Sequence, residues 1–199
     1  MIRAGRPPKP RVGLDADGVL RDFQSAMVEV INAALARAHT VEEWTEYEFE
    51  HAFALSPSER KLVVNAMLAE RDFVRNMPAL PHLDVEMLRN TATVYCVTAP
   101  WPHHPTWVAD TYWWLREHFD FHHDNVLPVH DKWLINLDWL VDDKVKNLEL
   151  WQQEHPKGHA VLWETRWNAH ERWSGRRTNS TMVLQAWVEE HALELAGAR

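Results

Sequence analysis

The sequence holds one cysteine, no excess of positive charge and no long apolar run among its 199 residues, and each shortage removes a class of protein. A single thiol, Cys96, excludes an internal disulfide and fits a reducing compartment. Its place in the apolar run Val94-Tyr95-Cys96-Val97 suits a packed core side chain rather than a reactive one. Lys and Arg number 21 against 29 Asp and Glu, a net charge of −8. That balance argues against nucleic acid or an anionic membrane as partner, because either needs a cationic face. A small phosphate ester stays compatible, since a few local cations and a metal reverse the sign of a pocket. No stretch reaches the ~18 apolar residues that span a bilayer, and no hydrophobic signal region opens the chain, so a cytoplasmic protein is expected. Internal repeats and low-complexity blocks are missing too, which leaves one domain and an insertion.

What is present is ordinary for a globular chain: 46% hydrophobic and 25% charged residues. Residues 1–10, basic and rich in proline, read as a loose tail. Val12-Gly13-Leu14 forms a strand that runs into Asp15-Ala16-Asp17-Gly18. Phe23, Met27, Val30, Ile31 and Ala34 then share one helical face, predicting a helix over about 22–38. Thr40 to Glu43 and Ser56 to Glu59 each have the form of a capping box. Residues 22–78 therefore read as consecutive helices, a cap-like insertion. Around it, alternation predicts strands over 91–97, 125–129, 137–141 and 160–163, with helices over 106–119, 144–155 and 181–195. With the first strand this makes an α/β fold: a Rossmann-like, mostly parallel, five-stranded sheet with helices on both faces. The core domain is assigned 11–21 and 79–199, and the small helical cap 22–78.

Four features carry chemistry, and all stand at predicted strand ends, where open α/β sheets bind ligands. Asp15 and Asp17 are two apart, so in an extended strand both carboxylates project to one side and repel unless a cation intervenes. Gly18 permits a sharp turn after them. A calcium loop does not fit, because Val19 and Leu20 follow and no glutamate closes a loop. Thr98, in Val97-Thr98-Ala99-Pro100, offers a hydroxyl for phosphate oxygens. Lys132 is a cation directly after a strand, and Asp142-Asp143 are paired acids after Val141. Taken singly, each is an ordinary turn, cap or solvated side chain. Together, the carboxylates make an oxygen-rich site suited to magnesium.

This ordered set resembles the haloacid dehalogenase-like hydrolase superfamily, over nearly the whole chain. Asp15-Ala16-Asp17-Gly18-Val19-Leu20-Arg21-Asp22-Phe23 resembles the DxDGVLxDF opening of the 5′(3′)-deoxyribonucleotidase family within it. Val161-Leu162-Trp163 followed by Trp167-Asn168 is similar to that family's late strand and asparagine. The resemblance implies a Mg2+-dependent phosphatase whose substrate is a small phosphate monoester, a nucleotide above all. It implies Asp15 as nucleophile and metal ligand, and Asp17 as general acid and base whose backbone carbonyl also reaches the metal. Asp142 would bind the metal directly with Asp143 behind it, while Thr98 and Lys132 hold the phosphate. Phe23 would lie beneath the base, and Trp44, Tyr47 and Phe73 of the cap would contact the leaving group. Two departures stand out. Ala99 replaces a hydroxyl residue after Thr98, and Pro81-His82-Leu83 stands where the family has Pro-Gly-Ala. A phosphatase of another small ester, or a non-catalytic binding protein on the same scaffold, remains open at this level.

Other residues invite function more than they support it. Trp107, Trp113, Trp114, Trp133, Trp139, Trp151 and Trp163 fall on or beside predicted elements and are expected in the core. His103-His104 and His122-His123 do not predict zinc, since adjacent histidines do not readily face one ion and no Cys or HxxxH partner is present. The acidic run from Glu42 to Glu50 reads as solvated helix surface. Arg172, Arg176 and Arg177 read as a polar loop.

Overall fold

The computed structural model describes residues 9–197. Six strands, β1 (Arg11–Leu14), β2 (Thr93–Thr98), β3 (Val126–Pro128), β4 (Trp139–Asp142), β5 (His159–Trp163) and β6 (Arg176–Thr178), form one sheet in the order β3-β2-β1-β4-β5-β6. Every pairing is parallel. The sheet thus gains a sixth strand over the expected five. Sequence alternation could not find β6, because Arg176-Arg177-Thr178 is polar throughout and its residues earn their place by pairing with β5. Of the stretch read as a polar loop, Arg176–Thr178 is therefore an edge strand, while Arg172 lies in irregular chain. Arg176 lies over the Trp139 and Trp187 rings at 5.1 and 5.2 Å, and Arg177 pairs with Glu164 at 2.8 Å.

Strand alternation divides the core into two layers. Trp139, Val141, Val161 and Trp163 face one side, where they pack with Leu88, Trp114, Leu184 and Val188. Those partners come from helices α5 (Val85–Arg89), α6 (Trp107–Phe119) and α8 (Thr181–Gly197). Leu140, Ala160 and Leu162 face the other side against Val145, Leu148 and Trp151 of α7 (Val145–Glu154). Cys96 is buried in the first layer, and burial raises its pKa above the usual thiol value. Trp113 departs from expectation. It is 53% exposed, because α6 buries Trp107, Thr111, Trp114 and Leu115 and position 113 falls on the opposite face.

Residues between β1 and β2 form α1 (Phe23–Leu35), α2 (Phe49–Ala52), α3 (Pro57–Ala69), α4 (Phe73–Asn76) and α5. The first four share a separate apolar cluster around Met27, Ile31, Trp44, Phe53, Val63 and Phe73. Asp22 caps α1 by accepting Ser25 N at 3.0 Å, and the helix stops at Ala36 in the left-handed region (φ 51°), short of the expected 38. Ser56 and Glu59 make the predicted capping box on α3. The one proposed at Thr40 does not form: its side chain makes no cap bond, and only a short 3-10 turn over Val41–Glu43 follows. Of the expected loose tail, 1–8 lie outside the described residues. Lys9 and Pro10 are tied down, with Pro10 O accepting Thr93 N at 2.8 Å.

Strand order reverses at β1, since the chain winds outward through β2 and β3 on one side and through β4 to β6 on the other. Such a switch point opens a crevice at the carboxyl ends of the strands. Leu14 pairs with Val141, so the residues that follow, Asp15 and Asp142, emerge together there.

Candidate active site

Strand register sets the first contact of the site. Asp15 N donates to Val141 O at 2.9 Å, which carries the ladder one step past β1 and fixes Asp15 beside Asp142. Lys132, in a 3-10 turn over Lys132–Leu134, is buried between them. Its Nζ lies 2.7 Å from Asp15 Oδ2 and 2.6 Å from Asp142 Oδ2. Asp142 is further held by Lys144 N at 2.8 Å and by Asn147 Nδ2 at 3.2 and 3.1 Å from its two oxygens. Asp143 is fixed on the opposite flank, where Trp167 Nε1 donates to its Oδ2 at 3.3 Å and Asn168 Nδ2 donates to its backbone carbonyl at 2.8 Å.

Gly18 belongs to the same construction. Its φ is 77°, which disfavours any L side chain, and a Cβ there would collide with the Asp143 carboxylate. The turn after the first acids therefore leaves room for the last one.

The electrostatics are those of a cluster short of positive charge. Carboxylate oxygens of Asp15, Asp142 and Asp143 lie within 4.8 Å of one another, with Lys132 as the cation in contact with two of them. Burial, with Asp142 and Asp17 adding to it against the opposing pull of Lys132, pushes Asp15 up to about 7. Burial and then the neighbouring Asp142 and Asp15 raise Asp143 well above the carboxylate range. Burial alone would depress Lys132, but the Asp142 and Asp15 carboxylates outweigh it and hold the ammonium above its usual value. A buried all-oxygen donor set with unbalanced negative charge fits a hard divalent cation.

A cavity of about 480 Å3 covers this cluster. Asp15, Asp17, Lys132 and Asp143 line its floor, and Phe23, Trp44, Tyr47, Phe49, Trp101 and Trp107 line its sides. Phe23 stacks on Trp101 with ring centroids 6.0 Å apart and meets Trp44 edge-on at 6.3 Å. Tyr47 reaches from the helical insertion to the sheet, with Lys144 Nζ 3.6 Å from its ring centroid and the Trp167 ring at 5.3 Å. Asp17 also meets Arg21, whose Nε and Nη2 donate to its two oxygens at 2.7 and 3.1 Å.

Several residues stand differently from the sequence expectations. Phe73 is 2% exposed and supports Phe23 edge-on from behind at 6.2 Å, away from the cavity lining. Asp142 is fully buried against Lys132 while Asp143 lines the cavity, and both bring carboxylate oxygens to the cluster with Asp15. Thr98 is buried at the end of β2 outside the lining, and its Oγ1 has no hydrogen-bond partner. Trp107, expected as simple core, also walls the cavity. Sequence reading missed Trp101, Arg21 and Asn147. Asn147 carried a weak signal, lying in the first turn of the helix that follows the paired acids. The histidine argument also needs correction: His122, His123 and Asp124 do bring ligand atoms within 4.8 Å of one another on the exposed surface. Among the described residues no helix is long and apolar enough to cross a membrane.

Comparison with known proteins agrees with this construction. A curated 5′(3′)-deoxyribonucleotidase of Clostridium acetobutylicum is 27% identical over 188 residues, covering 93% of this chain and 94% of that protein. A Staphylococcus epidermidis relative is 29% identical over 170 residues, covering 82% and 87%. Among solved structures, a HAD family hydrolase from Deinococcus radiodurans R1, with bound phosphate and sodium, superposes with a TM-score of 0.62. It covers 94% of this chain and 98% of its own at 14% identity, which establishes the shared fold. The family model described as 5′ nucleotidase, deoxy (Pyrimidine), cytosolic type C protein matches residues 9–192, nearly the whole chain, and the chain belongs to that family of HAD-like hydrolases.

Proposed function

We propose that the chain is a magnesium-dependent phosphomonoesterase of (deoxy)nucleoside monophosphates that works through an aspartyl-phosphate on Asp15. Family membership makes it a phosphoric monoester hydrolase. The observation that carries the finer reading is the pairing, in one cavity, of a buried Asp15–Lys132 contact with an aromatic wall. The first suits a phosphoryl group and the second a flat base.

Asp15 attacks phosphorus, and the ester oxygen leaves as the new bond forms. Lys132, held between two carboxylates, screens the approach of one anion to another and meets charge that spreads over the phosphoryl oxygens. Asp17 protonates the departing oxygen, then takes a proton from the water that cleaves the aspartyl-phosphate. The carboxylates of Asp15 and Asp143 and the backbone carbonyl of Asp17 would hold Mg2+, with Asp142 fixing Lys132 from behind. When bound, the ion neutralises charge between the attacking carboxylate and the phosphate. Stacking on Phe23 and Trp101 orients the base and excludes water above the reacting centre.

The test is a panel of phosphate monoesters assayed with and without magnesium. Turnover of nucleoside monophosphates that stops on chelation is expected. Preference for a sugar phosphate would remove the nucleotide claim, and turnover of none of the panel would remove the enzymatic one.

A further inference from the structure

Arg21 occupies the second open position of the DxDGVLxDF pattern, and its surroundings are too elaborate for a filler residue. The side chain is 0% exposed. A buried guanidinium is costly unless it is hydrogen-bonded, and here each of its three nitrogens donates one hydrogen bond. Nε and Nη2 grip both oxygens of Asp17, and Nη1 donates to Thr111 Oγ1 of α6 at 3.2 Å. The indoles of Trp107 and Trp114 flank the guanidinium carbon at 5.3 and 5.6 Å. Trp114 is itself anchored, donating through Nε1 to Met77 O at 2.8 Å. Arg21 is thus clamped by α6 and presents a planar fork to one carboxylate.

Its backbone is fixed as well. Arg21 N donates to Ala16 O at 2.8 Å and Arg21 O accepts Gly18 N at 2.9 Å, closing the turn that carries Asp17. Arg21 also bridges to Ala79, while Asp22 N donates to Pro78 O at 2.9 Å. The chain leaves for the helical insertion and returns from it beside this residue. Arg21 is absent from the cavity lining, whereas Asp17 is part of it. Whatever Arg21 does for chemistry, it does through Asp17.

We propose that Arg21 is a positioning residue: its bidentate grip fixes the direction of the Asp17 carboxylate toward the reacting centre. This rests on the phosphatase reading given above. A free aspartate samples several rotamers, and a carboxylate that must meet a particular water loses rate when its aim is lost. A bidentate fork fixes both oxygens, which a single-point ammonium does not. Asp17 is needed most in hydrolysis of the aspartyl-phosphate, since a good leaving group departs without help.

The experiment is a double-mutant cycle between Arg21→Met and Asp17→Asn, read in steady state and by rapid quench with p-nitrophenyl phosphate and magnesium. Arg21→Met is expected to lower kcat by roughly 30-fold or more and KM along with it, so that kcat/KM for this good leaving group changes by less than about 3-fold, and Arg21→Lys to recover only part of the kcat loss. Phosphate bound covalently to the enzyme at steady state should rise, because hydrolysis of the intermediate slows more than its formation. In the Asp17→Asn background, Arg21→Met should change the residual rate by less than about 3-fold. Thr111→Val, which removes only the third hydrogen bond, should move kcat the same way by a smaller factor. If Arg21→Met does not fold, as melting would show, the cycle is run with Arg21→Lys. Multiplicative losses in the cycle, or equal slowing of both steps without accumulation of bound phosphate, would overturn the proposal while leaving the phosphatase reading intact. A wild type that turns over no phosphate monoester would overturn both.

Discussion

The floor and the sides of the cavity are held together by different forces. Along the sheet edge, Asp15, Lys132, Asp142 and Asp143 sit in fixed register on strands and turns, and each is buried or half-buried with named partners. Along the helical insertion, Phe23, Trp44 and Phe49 meet one another through ring edges and faces and join an apolar cluster of their own. A charge network of this kind is intolerant, since removing one member strands another without a partner. An aromatic wall is forgiving, because apolar area is non-directional and neighbours share the load. The floor should therefore decide whether the reaction occurs, and the wall should decide on which ester.

The contrast predicts effects of decreasing size. Asp15→Asn keeps the shape of the side chain and leaves Lys132 paired with Asp142, but cannot form the covalent intermediate, so turnover should fall by roughly 10^4-fold or more in a protein that still folds and binds nucleotide. Near-normal turnover in that variant would end the account of the floor. Lys132→Met strands the buried Asp142 and Asp15 carboxylates, a loss of about 3–5 kcal/mol for a broken buried pair, hence a melting temperature lower by roughly 6–20 °C. Unchanged melting would show that the network is not what holds the floor.

A third expectation follows from protonation. The folded-state pKa values of Asp15 (about 7) and Asp143 are raised, so the native protein binds these protons more tightly than the unfolded chain does. Their contribution is fully present below the unfolded carboxylate value near 4 and is lost as pH rises toward 7. Metal-free protein should accordingly lose melting temperature across that window, and Asp15→Asn should flatten the slope. Magnesium at one fixed concentration, about 100 times its Kd at pH 8, should raise melting by roughly 5–10 °C at that pH and by much less at pH 5. Equal stabilisation at both pH values would place the ion elsewhere. The smallest effect belongs to the wall. Stacking is worth about 1–3 kcal/mol per base, so Phe23→Ala should cost a nucleoside monophosphate roughly ten- to a hundred-fold in kcat/KM. p-Nitrophenyl phosphate should lose much less, and equal losses would reduce Phe23 to a packing residue.

The floor and the wall also differed in how readable they were. Asp15, Asp17, Lys132 and Asp142-Asp143 stand at the ends of apolar runs, and parallel pairing leaves such residues nowhere to go but the shared carboxyl edge. Which of Asp142 and Asp143 lines the cavity was not readable, because it depends on Asn147, Trp167 and Gly18 from three separate segments. In the wall, Phe23, which the resemblance to the nucleotidase opening singles out, lines the cavity, whereas Phe73, expected beside it, lies one layer behind. Nothing in a sequence separates the aromatic that lines a cavity from the one that supports it. Trp101 was missed for a related reason: it lies in irregular chain after β2, where no periodicity marks a face. β6 escaped because its strand character comes from a neighbour's hydrogen bonds and not from its own polar residues.

The central claim is that phosphate passes through a covalent bond to Asp15. Its most direct measurement is borohydride trapping during turnover of a deoxynucleoside monophosphate with magnesium, since reduction of an aspartyl-phosphate converts that aspartate to homoserine. Peptide mass spectrometry should then find the change at Asp15, dependent on both substrate and magnesium and absent in Asp15→Asn. Homoserine at another aspartate during turnover, or undiminished turnover in Asp15→Asn, would contradict the account.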